Sequence, residues 1–315
     1  MTQAEPTTLP VIPDELWNLM AEIGPRWGAD TGGNVRRMID EFSKLLAAAP
    51  KHAARVEADI AYGPHPRQRF DVFHPLAPYA GLPDGAPRPA LLFVHGGAFV
   101  EGHRNRSSEI YANVLHFFAR HGVLGINIGY RLADDSAYPE ASRDVASMVA
   151  WTHDNAETLG IDRERIFLMG HSAGGAHVGS YAYDKRLQPA SGPGLAGLIV
   201  ISGRVRADNL PENPNARRVE TYYGADASRY DDVSPVTHVG PDSIPTFVGF
   251  AEFENPLIDL YCLELAHRLA LAKRKAPPVM RLKRHNHTSI IGHFNTAESA
   301  LGDAILDFMR DPLRA

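Results

Sequence analysis

The pentapeptide Gly170-His171-Ser172-Ala173-Gly174 holds the residue best suited to chemistry in this chain, a serine with glycine two positions away on either side. The apolar run "RIFLMG" leads into it and "SAGGAHVGSYAY" continues from it, so the serine falls where a strand turns into a helix. So sharp a turn strains the serine backbone and crowds out side chains at the flanking positions, which accounts for both glycines. It also exposes the hydroxyl and leaves the Ala173 N–H at a helix start, where it can face a developing oxyanion. Taken alone, the same residues could form a glycine-rich turn in which serine merely caps a helix.

A second segment, "FVHGGAF" at residues 93 to 99, ends another apolar strand in glycines. Backbone N–H groups there can point into a cleft unobstructed, so Gly97, Ala98 and Ala173 are the expected oxyanion hole. His95 reads as a brace for this loop. A nucleophilic serine needs a base, and the base needs an orienting carboxylate, expected in the order serine, acid, histidine, each after a later strand. "EFENPLID" follows the strand "PTFVGFA", and "RHNHTSI" follows "PVMRLK". Glu254, three residues beyond Ala251, is favoured as the acid, with Glu252 and Asp259 competing. His287, at the loop tip, is favoured as base over His285 and His293. The "HNH" pair has no Cys, Asp or Glu at metal spacing, so no metal is expected there. Acyl transfer through Ser172, His287 and Glu254 requires no cofactor.

These residues must be positioned by a sheet. From Ala90 onward, short apolar runs ("ALLFVHGG", "VLGINIGY", "RIFLMG", "LAGLIVIS", "PTFVGFAE", "PVMRLKRH") alternate with helical stretches, the last from about Thr296 to Met309. That alternation predicts an α/β fold with a mostly parallel central sheet covered by helices on both faces. Earlier, "RVEADIAYG" and "QRFDVFHP" read as strands, and apolar residues at helical spacing between residues 10 and 50 predict helices. Residues 1 to 9 read as loose. Residues 1–50 and a polar interruption at 203–243 are the candidates for a cap on a catalytic domain spanning 51–315.

Composition narrows the partners. The 315 residues carry a formal charge of −5, which offers no basic stripe for nucleic acid. Cys262 is the only cysteine, so no internal disulfide exists, and a reducing compartment fits. No signal-like leader and no run near the ~18 apolar residues of a membrane span is present, so a cytoplasmic protein is expected. The expected partner is a small-molecule ester or amide; a homodimer is compatible with the sequence.

Together "HGGAF", "YRLADDSAYPEASRD", "GIDRERIFLMGHSAGGAHVG" and "RHNHTS" resemble the α/β-hydrolase carboxylesterases of the hormone-sensitive-lipase-like and arylformamidase-like branches, over about residues 56 to 310. The resemblance implies Ser172 as nucleophile, His287 as base, an acid near "EFENPL", an oxyanion hole from "HGGA" plus Ala173, and a helical cap. Two departures stand out. The acid loop reads Glu254-Asn255-Pro256-Leu257 where relatives usually carry Asp-Pro-Leu, and Ala98 stands where a third glycine is common. Trp17, Trp27, Tyr222 and Tyr223 in the cap suit an apolar acyl or alcohol group, though core packing accounts for each of them equally well; small or medium apolar esters are the expected substrates. An arylformamide, amide or carbamate is the alternative substrate, and a non-catalytic ligand-binding homologue is the alternative from another class.

Overall fold

The computed structural model describes residues 8–83 and 85–313; the expectation for residues 1 to 9 falls mostly outside the described residues. Eight strands form one sheet: β1 (Ala54–Ala61), β2 (Arg69–Pro75), β3 (Arg88–Val94), β4 (Leu124–Ile128), β5 (Ile161–His171), β6 (Gly197–Ile201), β7 (Thr246–Phe253) and β8 (Val279–Asn286). Their spatial order is β1-β2-β4-β3-β5-β6-β7-β8. β2 is antiparallel to both β1 and β4, whereas every pairing from β4 through β8 is parallel.

The central strands are continuous apolar runs because both of their faces are covered. In β3, Leu92 and Val94 face one core with the helices Glu140–Asp154 and Ala173–Tyr183, while Leu91 and Phe93 face another with Ala112–Arg120 and Ala300–Arg310. β1 at the sheet edge is largely exposed.

Several boundaries differ from the sequence reading. β7 continues to Phe253, two residues past Ala251, so Glu254 directly follows the strand. The stretch "SEIYANVLHFFARHG" has helical spacing from Ser108, but the helix begins at Ala112, after Tyr111 adopts φ 81° with its N–H donating to Asn113 Oδ1 (2.9 Å). The last helix runs Ala300–Arg310 rather than starting at Thr296, whose hydroxyl donates to the nearby His293 carbonyl (2.6 Å) and so favours a local turn.

The N-terminal segment forms the helices Asp14–Ile23 and Thr31–Leu46, joined by the 3₁₀ turn Gly24–Asp30. Asp30 caps the second helix by accepting from the Gly33 N–H (2.9 Å). The buried faces of both helices, including Met20, Met38 and Phe42, share a core with Ile290, Ile291 and Leu282. Contact is close enough that a Cβ on Gly24 would lie 2.3 Å from the Phe253 ring, and one on Gly292 would lie 2.8 Å from Phe42. Within 203–243 the main element is the helix Ala216–Tyr223, with Val219, Tyr222 and Tyr223 buried. Among the described residues, no helix is long and apolar enough to cross a membrane.

Candidate active site

Ser172 occupies the turn between β5 and the helix Ala173–Tyr183, with φ 56° and ψ −120°. Non-glycine residues rarely adopt this region, and the surroundings hold it there. The Ser172 N–H donates to the Ile201 carbonyl (3.2 Å), and the Ser172 carbonyl accepts from the N–H groups of Gly175 (3.0 Å) and Arg204 (2.9 Å). Both flanking glycines are sterically required. A Cβ at Gly170 would come within 2.5 Å of the Gly174 carbonyl oxygen, and one at Gly174 within 2.2 Å of the Val94 carbonyl oxygen.

His287 follows β8 and is 4 % exposed. Its Nε2 lies 3.0 Å from Ser172 Oγ, and its Nδ1 lies 2.5 Å from Glu254 Oε2. A carboxylate only accepts, so Nδ1 carries the proton and Nε2 presents its lone pair to the serine hydroxyl. Glu254 is fixed in turn: its Oε1 accepts from the Ala251 N–H (2.7 Å) and from Ser202 Oγ (2.5 Å). Ser202, at the tip of β6, was not singled out from sequence; the signal that could have found it is its position at the carboxyl end of a central strand.

The competing residues lie elsewhere. Glu252, still within β7, accepts from Arg281 Nη2 (3.1 Å) and the Arg284 N–H (2.7 Å). Asp259 lies in the first turn of the helix Ile258–Lys273. His285 Nδ1 is 3.1 Å from Ser289 Oγ, and its ring meets the Trp17 ring edge-on; burial pushes its pKa down to about 2. His293 donates from Nδ1 to the Ser289 carbonyl (3.1 Å) and turns Nε2 toward Glu298 Oε2, 3.1 Å away.

Glu298 therefore joins two histidines that the sequence reading treated without an acidic neighbour. His285, His293 and Glu298 bring ligand-type atoms within 4.8 Å of one another. The His285–Glu298 separation of 3.8 Å exceeds the edge of about 3.4 Å of a tetrahedral zinc site. As built, the cluster is a polar brace behind the turn that carries His287.

On the opposite side of Ser172, Gly97 (φ 146°), Ala98 (φ 47°) and Phe99 (φ 72°) form a left-handed run after β3. A Cβ at Gly97 would lie 1.8 Å from the Glu101 carbonyl oxygen, so only glycine fits. Among the described residues, the N–H groups of Gly97 and Ala98 donate to no carbonyl or side chain, and Ala173 is the first residue of its helix, where an N–H has no intrahelical partner. His95 lies behind this loop, its Nδ1 2.7 Å from the Gly96 carbonyl and its ring stacked 4.3 Å from that of Tyr130; burial holds its pKa well below the ordinary value. His171 is also buried and kept neutral, and donates from Nε2 to the His287 carbonyl (3.0 Å). His177 is enclosed in its helix, 3.2 Å from the Tyr222 hydroxyl, and its pKa falls to about 3.

A cavity of about 390 Å³ opens at Ser172 and His287. Val35, Ile39, Ile110, Ile258 and Ile291 give it aliphatic walls. None of Trp17, Trp27, Tyr222 or Tyr223 lines it. Trp27 is buried and donates to Asn255 Oδ1 (2.7 Å), Tyr222 stacks on Phe99, and Trp17 lies under the Arg284 guanidinium. These aromatics fill cores and carry no information about substrate. The cavity wall includes four arginines instead, Arg36, Arg106, Arg204 and Arg218, none of which the sequence reading singled out.

Residues 79–187, about a third of the chain, match the BD-FAE family model. The chain is 30% identical to esterase LipC of Mycobacterium tuberculosis over 205 residues, which is 60% of this chain and 49% of that protein. It is 38% identical to ethyl acetate hydrolase of Pseudomonas putida over 87 residues, 28% of this chain and 26% of that protein. The chain thus spans about half or less of the length of these relatives. An inhibited esterase B from Lactobacillus rhamnosis superposes with a TM-score of 0.72 at 16% identity, covering 94% of this chain and 97% of that one. An esterase from Pyrobaculum calidifontis gives 0.67 at 20% identity, covering 96% and 98%. Its strand order, its turn at Ser172 and these structural likenesses show that the chain has the α/β-hydrolase fold.

Proposed function

We propose that this protein is a serine hydrolase that cleaves small or medium carboxylic esters through an acyl-enzyme, with Ser172 as nucleophile, His287 as base and Glu254 as acid. The observation that carries the reading is the continuous hydrogen-bonded line from Glu254 through His287 to Ser172.

In the first step Ser172 Oγ attacks the ester carbonyl while His287 Nε2 takes its proton. The resulting oxyanion is received by the N–H groups of Gly97, Ala98 and Ala173, which need no reorganisation. The imidazolium, stabilised and oriented by Glu254, protonates the departing alcohol. Water then attacks the acyl-serine, with His287 accepting its proton and returning it to Ser172. We read the segment up to residue 50 and residues 203–243 as a cap on this site: Val35 and Ile39 from the first and Pro214 and Arg218 from the second line the cavity. The aliphatic wall suits the alkyl part of an ester, and the lone, buried Cys262 fits a reducing cytoplasm.

A fluorophosphonate probe followed by peptide mass spectrometry tests the reading, with an adduct on Ser172 expected. Absence of any adduct on the folded protein would favour a non-catalytic binding module. A companion panel of p-nitrophenyl esters, formyl-anilides and carbamates should give fastest turnover on the esters; a formyl-anilide preference would overturn the substrate class.

A further inference from the structure

We propose that the ester taken by this cavity carries a negatively charged group, received by Arg106 and Arg36 while Ser172 attacks the carbonyl. This rests on the esterase reading and narrows its substrate to anionic esters.

The charges on the wall are unbalanced. Four arginines and one carboxylate, Glu101, line the cavity, in a chain whose overall charge is −5. Arg218 is neutralised by Glu101, 2.9 Å away. Arg204 is buried at 3 % exposure, with Nη2 donating to Asn213 (3.1 Å), Asp208 no nearer than 3.9 Å, and Nη1 without a hydrogen-bond partner. Arg106 and Arg36 have no ion-pair or hydrogen-bond partner for their guanidinium groups among the described residues. Arg36 is exposed at the cavity rim, whereas Arg106 is half-buried, and a half-buried cation without a counterion is costly unless something arrives to pair with it.

Arg106 is also held in place from both sides. Its neighbour Arg104 is buried against Asp71 (3.1 Å) and Asp59 (2.6 Å), and Asn105 Nδ2 donates to Asp71 (3.0 Å). On its other side Ser107 Oγ meets Ser43 Oγ of the helix Thr31–Leu46 at 2.7 Å. The loop is therefore pinned to the sheet on one flank and to the roof helix on the other, and the residue between the pins lines the cavity with an unused fork of donors. Such a fork matches a carboxylate or a phosphate bidentately.

The test compares near-isosteric ester pairs: methyl hydrogen glutarate with methyl pentanoate for a charge on the acyl half, and 4-acetoxybenzoate or 4-acetoxyphenyl phosphate with 4-tolyl acetate for a charge on the alcohol half. At least one anionic member should exceed its neutral partner by about tenfold in kcat/KM, chiefly through KM, and the successful pair identifies the group and the half that bears it. Arg106→Gln should remove most of that preference, Arg36→Gln part of it. Arg37→Gln, the same charge change on the same helix outside the cavity, should leave it intact. Raising salt from about 10 mM to about 0.5 M should shrink it. Neutral esters turned over as well as or better than every anionic partner would overturn the inference and leave the esterase reading standing. If no ester is cleaved and Ser172 takes no phosphonate, the esterase reading fails instead. Calorimetric binding of methyl hydrogen glutarate and 4-acetoxyphenyl phosphate to Ser172→Ala then still decides anion recognition, with binding lost in Ser172→Ala/Arg106→Gln supporting it and no binding refuting it.

Discussion

On the floor of the cavity Ser172 and His287 sit at strand tips with Glu254 behind His287, and each is held by backbone atoms or by a neighbour. On its roof, Val35, Arg36 and Ile39 project from a helix, and Pro214 and Arg218 from the segment after β6, with room around them. A glycine from each side makes the contrast concrete: a Cβ at Gly174 would strike the Val94 carbonyl at 2.2 Å, whereas one at Gly32 would meet only the end of Arg36 at 3.5 Å. On the proposed reading, reaction chemistry is written into backbone geometry, which tolerates little change, and substrate choice into side chains that can vary without disturbing the fold.

If that division holds, the largest effect belongs to the floor. Ser172→Ala should lower kcat by about 10⁶-fold, measured on the best ester of the panel, with thermal stability retained. Next, Glu254→Gln should lower kcat by about 10⁴-fold, by analogy with removal of the carboxylate elsewhere, while Glu252→Gln stays within about threefold. Equal losses in the two variants would break the assignment of the acid. Third, Gly174→Ala should destabilise by about 3 kcal/mol or more in urea unfolding, because backbone must move, and Gly32→Ala should be neutral or stabilising by up to about 1 kcal/mol.

A separate effect, on stability alone, comes from acid. Burial lowers the pKa of His116 to about 4, of His177 to about 3 and of His285 to about 2. Each stays neutral in the fold and takes up a proton near pH 6.5 once unfolded, so stability is full above pH 6.5 and falls as the pH drops toward those values. Each group contributes a slope of up to about 1.4 kcal/mol per pH unit, readable as the urea midpoint between pH 7 and pH 5. Any preference for anionic esters should persist over this range while the folded fraction declines. A midpoint independent of pH would contradict the neutral burial of these histidines.

The elements that position the floor were legible because their signals are local and redundant. Apolar runs for β3 through β8 alternate with helical periodicity, and Gly170 and Gly174 bracket Ser172 because the turn there permits nothing larger. Glu254 and His287 could be nominated from chain order alone. Their partners could not. Ser202 is one hydroxyl at the end of β6, and its contact with Glu254 spans 52 residues with no periodic trace. Glu298 lies beyond the "RHNHTS" segment and reaches His285 and His293 only after the chain has turned back. The aromatics left two readings open for a related reason. Composition records that Tyr222 and Trp27 are large and apolar, but only packing decides whether they face a core or a cavity, and both face a core.

The hydrogen bond from Trp27 to Asn255, one residue past Glu254, makes the first helices part of the acid's own setting. Cutting the chain back to residue 51 would leave the Asn255 amide oxygen without its buried donor and uncover Phe253 and Gly292. The segment is therefore no hinged door. On the proposed reading, ester enters, and alcohol and acid leave, past a rim whose movable parts are long side chains. Rotamer exchange of exposed side chains takes picoseconds to nanoseconds, far shorter than lid opening. Under that reading, such an aperture leaves the bond-making steps rather than a gate to set the pace of turnover.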